Sequence, residues 1–330
     1  MRHVCPCAGG AGALSTRRVE AALTVLDGAT VTEGTVDWQG RRTWYRVVGP
    51  PGRRPDRTPL VICHGGPGLT HDYLAPVAES IGASRTCVLY DQIGNGRSEH
   101  HGGARAGFWT PELFVEEIQA LLDHLGMAGG YHLLGHSWGG MLALELAVRR
   151  PAGLRSLVVA DAFASSRTYR EEVGRLLSEL PQDIREPIER HEAAGTTGSP
   201  EYQAAVRVFY GRHVCRARPV PPGLLRTLAY MEANPAVYET MMGPSEFSMT
   251  GTLRDWDIRD RLDRVEVPLL LVSGRHDEVT PRAVEEIRHG VPGAEWHLFE
   301  ESSHMPHLEE PVRFREVVET FLARQSSGTA

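Results

Sequence analysis

The hexapeptide Gly-His-Ser-Trp-Gly-Gly at positions 135–140 constrains this chain more than any other feature, because of what flanks it. The strand-like run Tyr-His-Leu-Leu precedes it, and the helix-forming run Met-Leu-Ala-Leu-Glu-Leu-Ala-Val-Arg-Arg follows it. A serine between the exit of a strand and the start of a helix sits on a turn that favours glycine at positions 135 and 139. That turn lifts Ser137 clear of the sheet. The backbone N–H of Trp138 then stands at a helix start, aimed where a carbonyl oxygen would become an oxyanion. In a chain with 35 glycines the pattern G-x-S-x-G can arise by chance, so the strand before it and the helix after it carry the weight.

The rest of the chain repeats the same alternation. Apolar runs at 60–63 (LVIC), 87–90 (CVLY), 131–135 (YHLLG), 157–160 (LVVA) and 268–272 (PLLLV) are unbroken by charge, as expected of parallel strands buried on both faces. Between Thr110 and Gly126 a helix is signalled by a threonine cap, Pro111 at the first position, Glu112 in the first turn, and Phe114, Ile118, Leu121 and Leu125 along one side. A second helix is predicted from Trp138 to Arg149. Residues 33–49 alternate polar and apolar about Gln39-Gly40, a hairpin pattern, and Pro50–Pro59 reads as a loop. This is an α/β sequence of the α/β-hydrolase type, with a mostly parallel, doubly wound sheet. Residues 166–253 break the pattern: they are charged, Ala-rich and helix-prone, without a convincing buried strand. They read as a helical cap inserted into a core of residues 26–165 and 254–325, with a flexible extension over 1–25. A separate partner-binding domain fits less well, because the sheet pattern resumes afterwards. At 330 residues the chain is long for one average domain but suits a sheet domain with an insertion.

Two further places carry the groups a serine nucleophile needs. The glycine-rich turn HGGPG at 64–68 leaves the LVIC strand where a second oxyanion N–H is required, and Gly66 is the candidate donor. A general base and its orienting acid must follow the serine in the order acid, then histidine. Asp277, in GRHDEVTP, and His304, in EESSHMPHLEEP, each lie past a strand's carboxyl end, where a site belongs. His304 would take the serine proton and return it to the leaving amine, and Asp277 would fix its tautomer. His276 and His307 are close rivals; His304 is preferred because it comes first after the strand. Asp91 precedes the serine and reads as scaffolding within DQIGNGRS, while Glu300, Glu301, Glu309 and Glu310 read as a solvated face.

Composition removes several alternatives. All 35 basic residues are arginine, so lysine Schiff-base chemistry is excluded. A net charge of -7 without a basic stripe gives no reason to propose nucleic acid or an anionic membrane as partner. No apolar run approaches the roughly 20 residues of a membrane span, and the first residues are too weakly apolar for a secretory signal; a cytoplasmic protein is expected. Five cysteines are scattered, with Cys63 and Cys87 inside strand-like runs, so a disulfide framework is not expected. Cys5 and Cys7 make a Cys-Pro-Cys pair that would supply only half of a metal site; no matching Cys/His pair with zinc-finger spacing follows, and no metal is assigned.

Taken together, HGGPG, DQIGNGRS at 91–98, GHSWGG, GPSEF at 243–247, HDEVTP at 276–281 and SSHMPHLEEP at 302–311 resemble the proline iminopeptidase family over roughly residues 30–325. The resemblance implies an α/β-hydrolase with a helical cap, no cofactor, and release of an N-terminal residue from small peptides or hydrolysis of amino-acid amides. It also implies that Glu246, in GPSEF, and Glu278, beside Asp277, hold the substrate's free amino group. Charge supports this, since an α-ammonium of pKa near 8 is cationic at neutral pH. On residue type alone both are ordinary glutamates, and Glu278 is an alternative triad acid. Trp138 departs from the smaller or tyrosine side chains expected at the elbow and would narrow the pocket. Two other readings stay open: an esterase, lactonase or amidase of pathway-specific substrate, and a non-catalytic ligand-binding protein on a hydrolase scaffold. The acyl-side specificity and the oligomeric state have no readable motif.

Overall fold

A computed structural model describes residues 24–26, 29–50 and 57–326. Among these, nine strands form one sheet: β1 (Thr24–Leu26), β2 (Ala29–Trp38), β3 (Arg41–Gly49), β4 (Leu60–Cys63), β5 (Cys87–Tyr90), β6 (Tyr131–His136), β7 (Leu154–Ala160), β8 (Leu269–Gly274) and β9 (Glu295–Phe299). Their order is β1-β2-β3-β5-β4-β6-β7-β8-β9. From β5 to β9 all pairs are parallel, and β1 to β3 form an antiparallel edge. The edge hairpin turns at Gln39 and Gly40, with φ of 46° and 76°, and pairs Trp38 with Arg41. Positive φ at both turn residues matches the right-handed twist of the flanking strands. Of the extension expected over 1–25, only Thr24 and Val25 lie within the described residues, and both belong to β1. Cys5 and Cys7 lie outside them.

The central strands are buried on both faces. Val61, Cys63, Val88 and Tyr90 pack on one side, while Leu60, Ile62, Cys87 and Leu89 pack on the other, the two-residue period of a strand. Helices α1 (Ala75–Gly82), α2 (Pro111–His124) and α3 (Trp138–Ala147) precede the insertion. Thr110 caps α2 by accepting from the Leu113 N–H, and Pro111 occupies the first turn. Helix α3 is buried along its whole length, as befits the helix behind an elbow.

Between β7 and β8 the chain forms α4 (Ser166–Ser178), α5 (Gln182–Ala194), α6 (Pro200–His213), α7 (Pro222–Ala233) and α8 (Ala236–Met241), with no strand among them. The two ends of this insertion meet in a narrow neck, where the Ser166 N–H donates to Trp256 O at 3.0 Å and the Ile258 N–H to Ala164 O at 3.0 Å. Helices α9 (Pro281–Gly290), α10 (Pro306–Glu309) and α11 (Pro311–Ser326) complete the fold. No helix among the described residues is long and apolar enough to cross a membrane. Cys63, Cys87 and Cys215 are free and buried, and burial raises the Cys63 and Cys87 thiols to about 12, so they pack as small apolar side chains.

Candidate active site

Ser137 terminates β6 with φ 56° and ψ -123°, a backbone conformation an L-residue adopts at a cost of about 1–3 kcal/mol. The surrounding packing enforces it. A Cβ at Gly135 would collide with the Gly139 carbonyl, and one at Gly139 with the Cys63 and His64 carbonyls at the end of β4. The Ser137 N–H donates to Ala160 O at 2.8 Å, which ties the turn to β7. The HGGPG loop closes against it: a Cβ at Gly65 would lie 3.0 Å from Ser137 Cβ. Gly66, with φ 113°, and Trp138 line the same cleft as Ser137. The Trp138 indole is buried edge-to-face on Phe114 and donates to Gln92 Oε1 at 2.8 Å, so much of its bulk is taken up in the core.

The loops after β8 and β9 bring Asp277 and His304 together. His304 Nδ1 donates to Asp277 Oδ1 at 2.7 Å, and the Val279 N–H donates to the same oxygen at 2.8 Å. Both side chains are buried, and His304 lines the cleft with Ser137. Burial opposes the imidazolium, but the charge and hydrogen bond of Asp277, then Glu278 and Glu246, outweigh it and raise His304 to about 9. Neither rival histidine lines the cleft. The His276 carbonyl accepts from His213, and His307 packs against the rings of Tyr73 and His136. The acidic residues flanking His304 meet the expectation of a solvated face only in part. Glu300 and Glu301 are exposed, but Glu309 accepts from the backbone N–H and hydroxyl of Ser303 and from the Arg216 N–H, bracing the His304 loop against the inserted helices. Glu310 accepts from Ser302 Oγ at 2.5 Å. Once the chain folds back, these carboxylates meet backbone donors that a local reading does not see.

A relay of buried groups joins the three loops. The Gly65 N–H donates to Tyr73 Oη at 2.7 Å, Tyr73 Oη donates to His136 Nδ1 at 2.8 Å, and His136 Nε2 donates to His304 O at 2.8 Å. The carbonyl can only accept, so His136 is the neutral Nε2–H tautomer, consistent with burial holding its pKa well below the ordinary value. The DQIGNGRS segment supplies the other half of the scaffold. The Gln92 N–H donates to His64 Nε2 at 3.0 Å and its amide to His64 O at 2.8 Å, while Asp91 accepts from the His71 ring and N–H and from the Arg97 N–H. The Ile93 N–H is held by buried Glu117 at 2.7 Å. Asp161, at the end of β7, lies beneath the triad residues. Its nearest ligand atom and those of Asp277 and His304 lie within 4.8 Å of one another, the one such cluster of metal-ligand side chains among the described residues. Within it, His304 Nδ1 and Asp277 Oδ1 are already paired with each other.

Glu246 and Glu278 line the same cleft. Tyr210 and Tyr238 donate their hydroxyls to the two oxygens of Glu246 at 2.6 and 2.7 Å. Glu278 Oε1 is 4.0 Å from His304 Nε2, while its other oxygen has no hydrogen-bond partner. Burial, reinforced by Glu246 and Asp277 and opposed by His304, lifts its carboxyl well above the usual range. The remaining wall is apolar and aromatic, with Phe163, Tyr169, Leu228, Met231 and Met242. Sequence reading did not find Tyr73, His136, Gln92, Tyr210, Tyr238 or Asp161; for Asp161 the one available signal was a charge ending the apolar run LVVA.

Known proteins share this fold over most of the chain. Residues 58–311 match the alpha/beta hydrolase fold family. The proline iminopeptidase of Thermoplasma volcanium is 35% identical over 292 residues, 88% of this chain and 97% of that protein. That of Saccharolobus solfataricus is 36% identical over 278 residues, 84% of this chain and 87% of that protein. Among solved structures, the proline iminopeptidase of Mycobacterium smegmatis superposes with a TM-score of 0.84 at 45% identity, covering 89% of this chain and 99% of its own. VinJ superposes at 0.86 with 47% identity and the same coverage.

Proposed function

The chain belongs to the proline iminopeptidase family of α/β hydrolases, and from that premise we propose that it releases the N-terminal residue of small peptides, or hydrolyses amino-acid amides, through an acyl-enzyme on Ser137. One observation carries the reading: the cleft that holds Ser137 and His304 also holds the carboxyls of Glu246 and Glu278. The substrate's α-ammonium pairs with these two groups, which sets its first carbonyl over Ser137, and a blocked N-terminus leaves the buried Glu278 carboxyl without that partner.

Neutral His304 takes the hydroxyl proton as Ser137 Oγ attacks that carbonyl, and Asp277 stabilises the imidazolium formed. The Gly66 and Trp138 N–H groups receive the oxyanion. His304 then protonates the departing amine, and a water, deprotonated by His304, hydrolyses the ester to free the acid and Ser137. An incoming cation also weakens the pull of Glu246 and Glu278 on the His304 proton, so an ammonium substrate helps to generate the neutral base it needs. Helices α4 to α8 act as the cap, contributing Tyr210, Tyr238 and the Glu246 loop to the amine end of the cleft.

The test is steady-state hydrolysis of prolyl and other aminoacyl naphthylamides, their N-acetylated forms and p-nitrophenyl acetate by wild type and Ser137→Ala. Cleavage restricted to free amines and lost in the variant, by about 10⁴-fold or more, is expected. Ester cleavage with indifference to N-acetylation would overturn the exopeptidase reading in favour of an esterase.

A further inference from the structure

Asp161 has no part in the acyl-transfer scheme, yet it is fully buried beside its centre, with a positive φ of 52° at the mouth of β7. Its Oδ1 accepts one long bond, from the Gly274 N–H at 3.2 Å, and its Oδ2 has no partner. The nearest cationic candidate, His136 Nε2, is 3.8 Å from that oxygen, but its N–H is committed to the His304 carbonyl. Asp277 has the complementary deficiency: Oδ1 accepts from both His304 and Val279, and Oδ2 accepts from nothing.

Two carboxylates packed together in a dry site cannot both be ionised, and one shared proton satisfies both unpartnered oxygens at once. The proton belongs on Asp161. Asp277 has an imidazole and a short N–H bond to stabilise its charge, whereas Asp161 has a single long one. We infer that Asp161 is a positioning residue of the triad, a neutral carboxylic acid whose O–H donates to the free Oδ2 of Asp277 and tempers the hold of Asp277 on the His304 proton. Burial, then the charge of Asp277 and the hydrogen bond shared with it, push the Asp161 carboxyl well above its usual range. The titratable groups facing it from the neighbouring elements are Asp277, His304, His136, Tyr73 and Glu309; Glu278 and Glu246 act on His304 from the cleft side.

The inference rests on the acyl-transfer reading of Ser137 and His304 but not on exopeptidase specificity, so p-nitrophenyl acetate is the substrate. The acidic limb of kcat/KM is measured for wild type, Asp161→Asn and Asp161→Leu, with Asp161→Ala replacing the leucine variant if that fails to fold. Asparagine keeps a donor and no charge, so its limb coincides with that of wild type. Leucine or alanine removes the donor, concentrates charge on Asp277 and moves the limb upward by about one pH unit, a roughly tenfold loss at low pH. If Asp161→Asn lowers the limb by about a unit, Asp161 is an anion and the inference fails. It also fails if the donorless variants leave the limb where wild type has it, which is the result for a residue that only fills space. Ester hydrolysis that survives Ser137→Ala would instead sink the acyl-transfer reading itself.

Discussion

Glu246→Gln separates recognition of the amino group from the chemistry at Ser137. The change removes one negative charge while preserving shape. The Tyr210 and Tyr238 hydroxyls that now donate to Glu246 at 2.6 and 2.7 Å can keep one bond to the amide oxygen and accept the other from the amide nitrogen. The cleft therefore keeps its form. A charge-assisted hydrogen bond in a half-buried site contributes about 1.5–3 kcal/mol, below the about 4 kcal/mol Coulomb figure for a bare pair 4 Å apart near a protein surface. At 1.4 kcal/mol per decade this predicts a loss of about 10- to 150-fold in kcat/KM for prolyl β-naphthylamide. Because the ammonium is bound in both ground and transition states, most of the loss falls on KM. Hydrolysis of p-nitrophenyl acetate, which has no amine, changes by less than about threefold, a difference under 1 kcal/mol. A free-amine kcat/KM within threefold of wild type would refute the assignment, and so would a parallel fall on the ester, since either outcome removes the charge from recognition.

Two other perturbations test the scaffold. Tyr73→Phe deletes the hydroxyl that accepts from the Gly65 N–H and donates to His136; leaving both groups buried and unpaired costs about 1–3 kcal/mol each. It should lower Tm by several degrees in a calorimetric scan and reduce kcat on both substrate classes; an unchanged Tm would mean that the relay contributes nothing. Glu117 is buried and lifted to about 8, chiefly by desolvation, against the lowering effect of its bonds from Thr43 and Ile93. The native state thus holds this proton more tightly than the unfolded chain, so its contribution to stability is complete below about pH 4.5 and is lost as the pH rises through about 8, by at most about 5 kcal/mol. Glu117→Gln keeps the acceptor oxygen and should flatten the fall in urea-measured stability over that interval; an identical pH slope in the variant would contradict it.

Local signals made most of the architecture legible. The elbow, the parallel strands and the Thr110-Pro111 cap are each written in a few adjacent residues, because tight turns, buried strands and helix starts are short-range constraints. Chain order and a place past a strand's end narrowed 42 acidic residues and 15 histidines to Asp277, with Glu278 as the alternative acid, and His304, with His276 and His307 as rivals. The relay through Tyr73 and His136, the Glu309 brace and Asp161 were not legible in the same way. Their partners lie 63, 168, 93 and 113 residues away in the pairs Tyr73–His136, His136–His304, Arg216–Glu309 and Asp161–Gly274. No periodicity or spacing rule links such positions, and each side chain alone is chemically ordinary.

The neck that closes the insertion makes the protein divisible. Because the chain leaves and re-enters the sheet through two paired backbone bonds between Ala164–Ser166 and Trp256–Ile258, everything between them is a cassette with a single splice point. Excising the cassette and joining its ends by a short turn leaves β7 and β8 paired in the register they already have, with Ser137, Asp277 and His304 still on the retained part of the chain. What departs with it is the cap's share of the amine end, Glu246 with Tyr210 and Tyr238, while Glu278 stays beside Asp277. A shortened enzyme of this kind would trade exopeptidase stringency for breadth, and grafting a different helical cassette at the same splice point would let one sheet serve a different substrate.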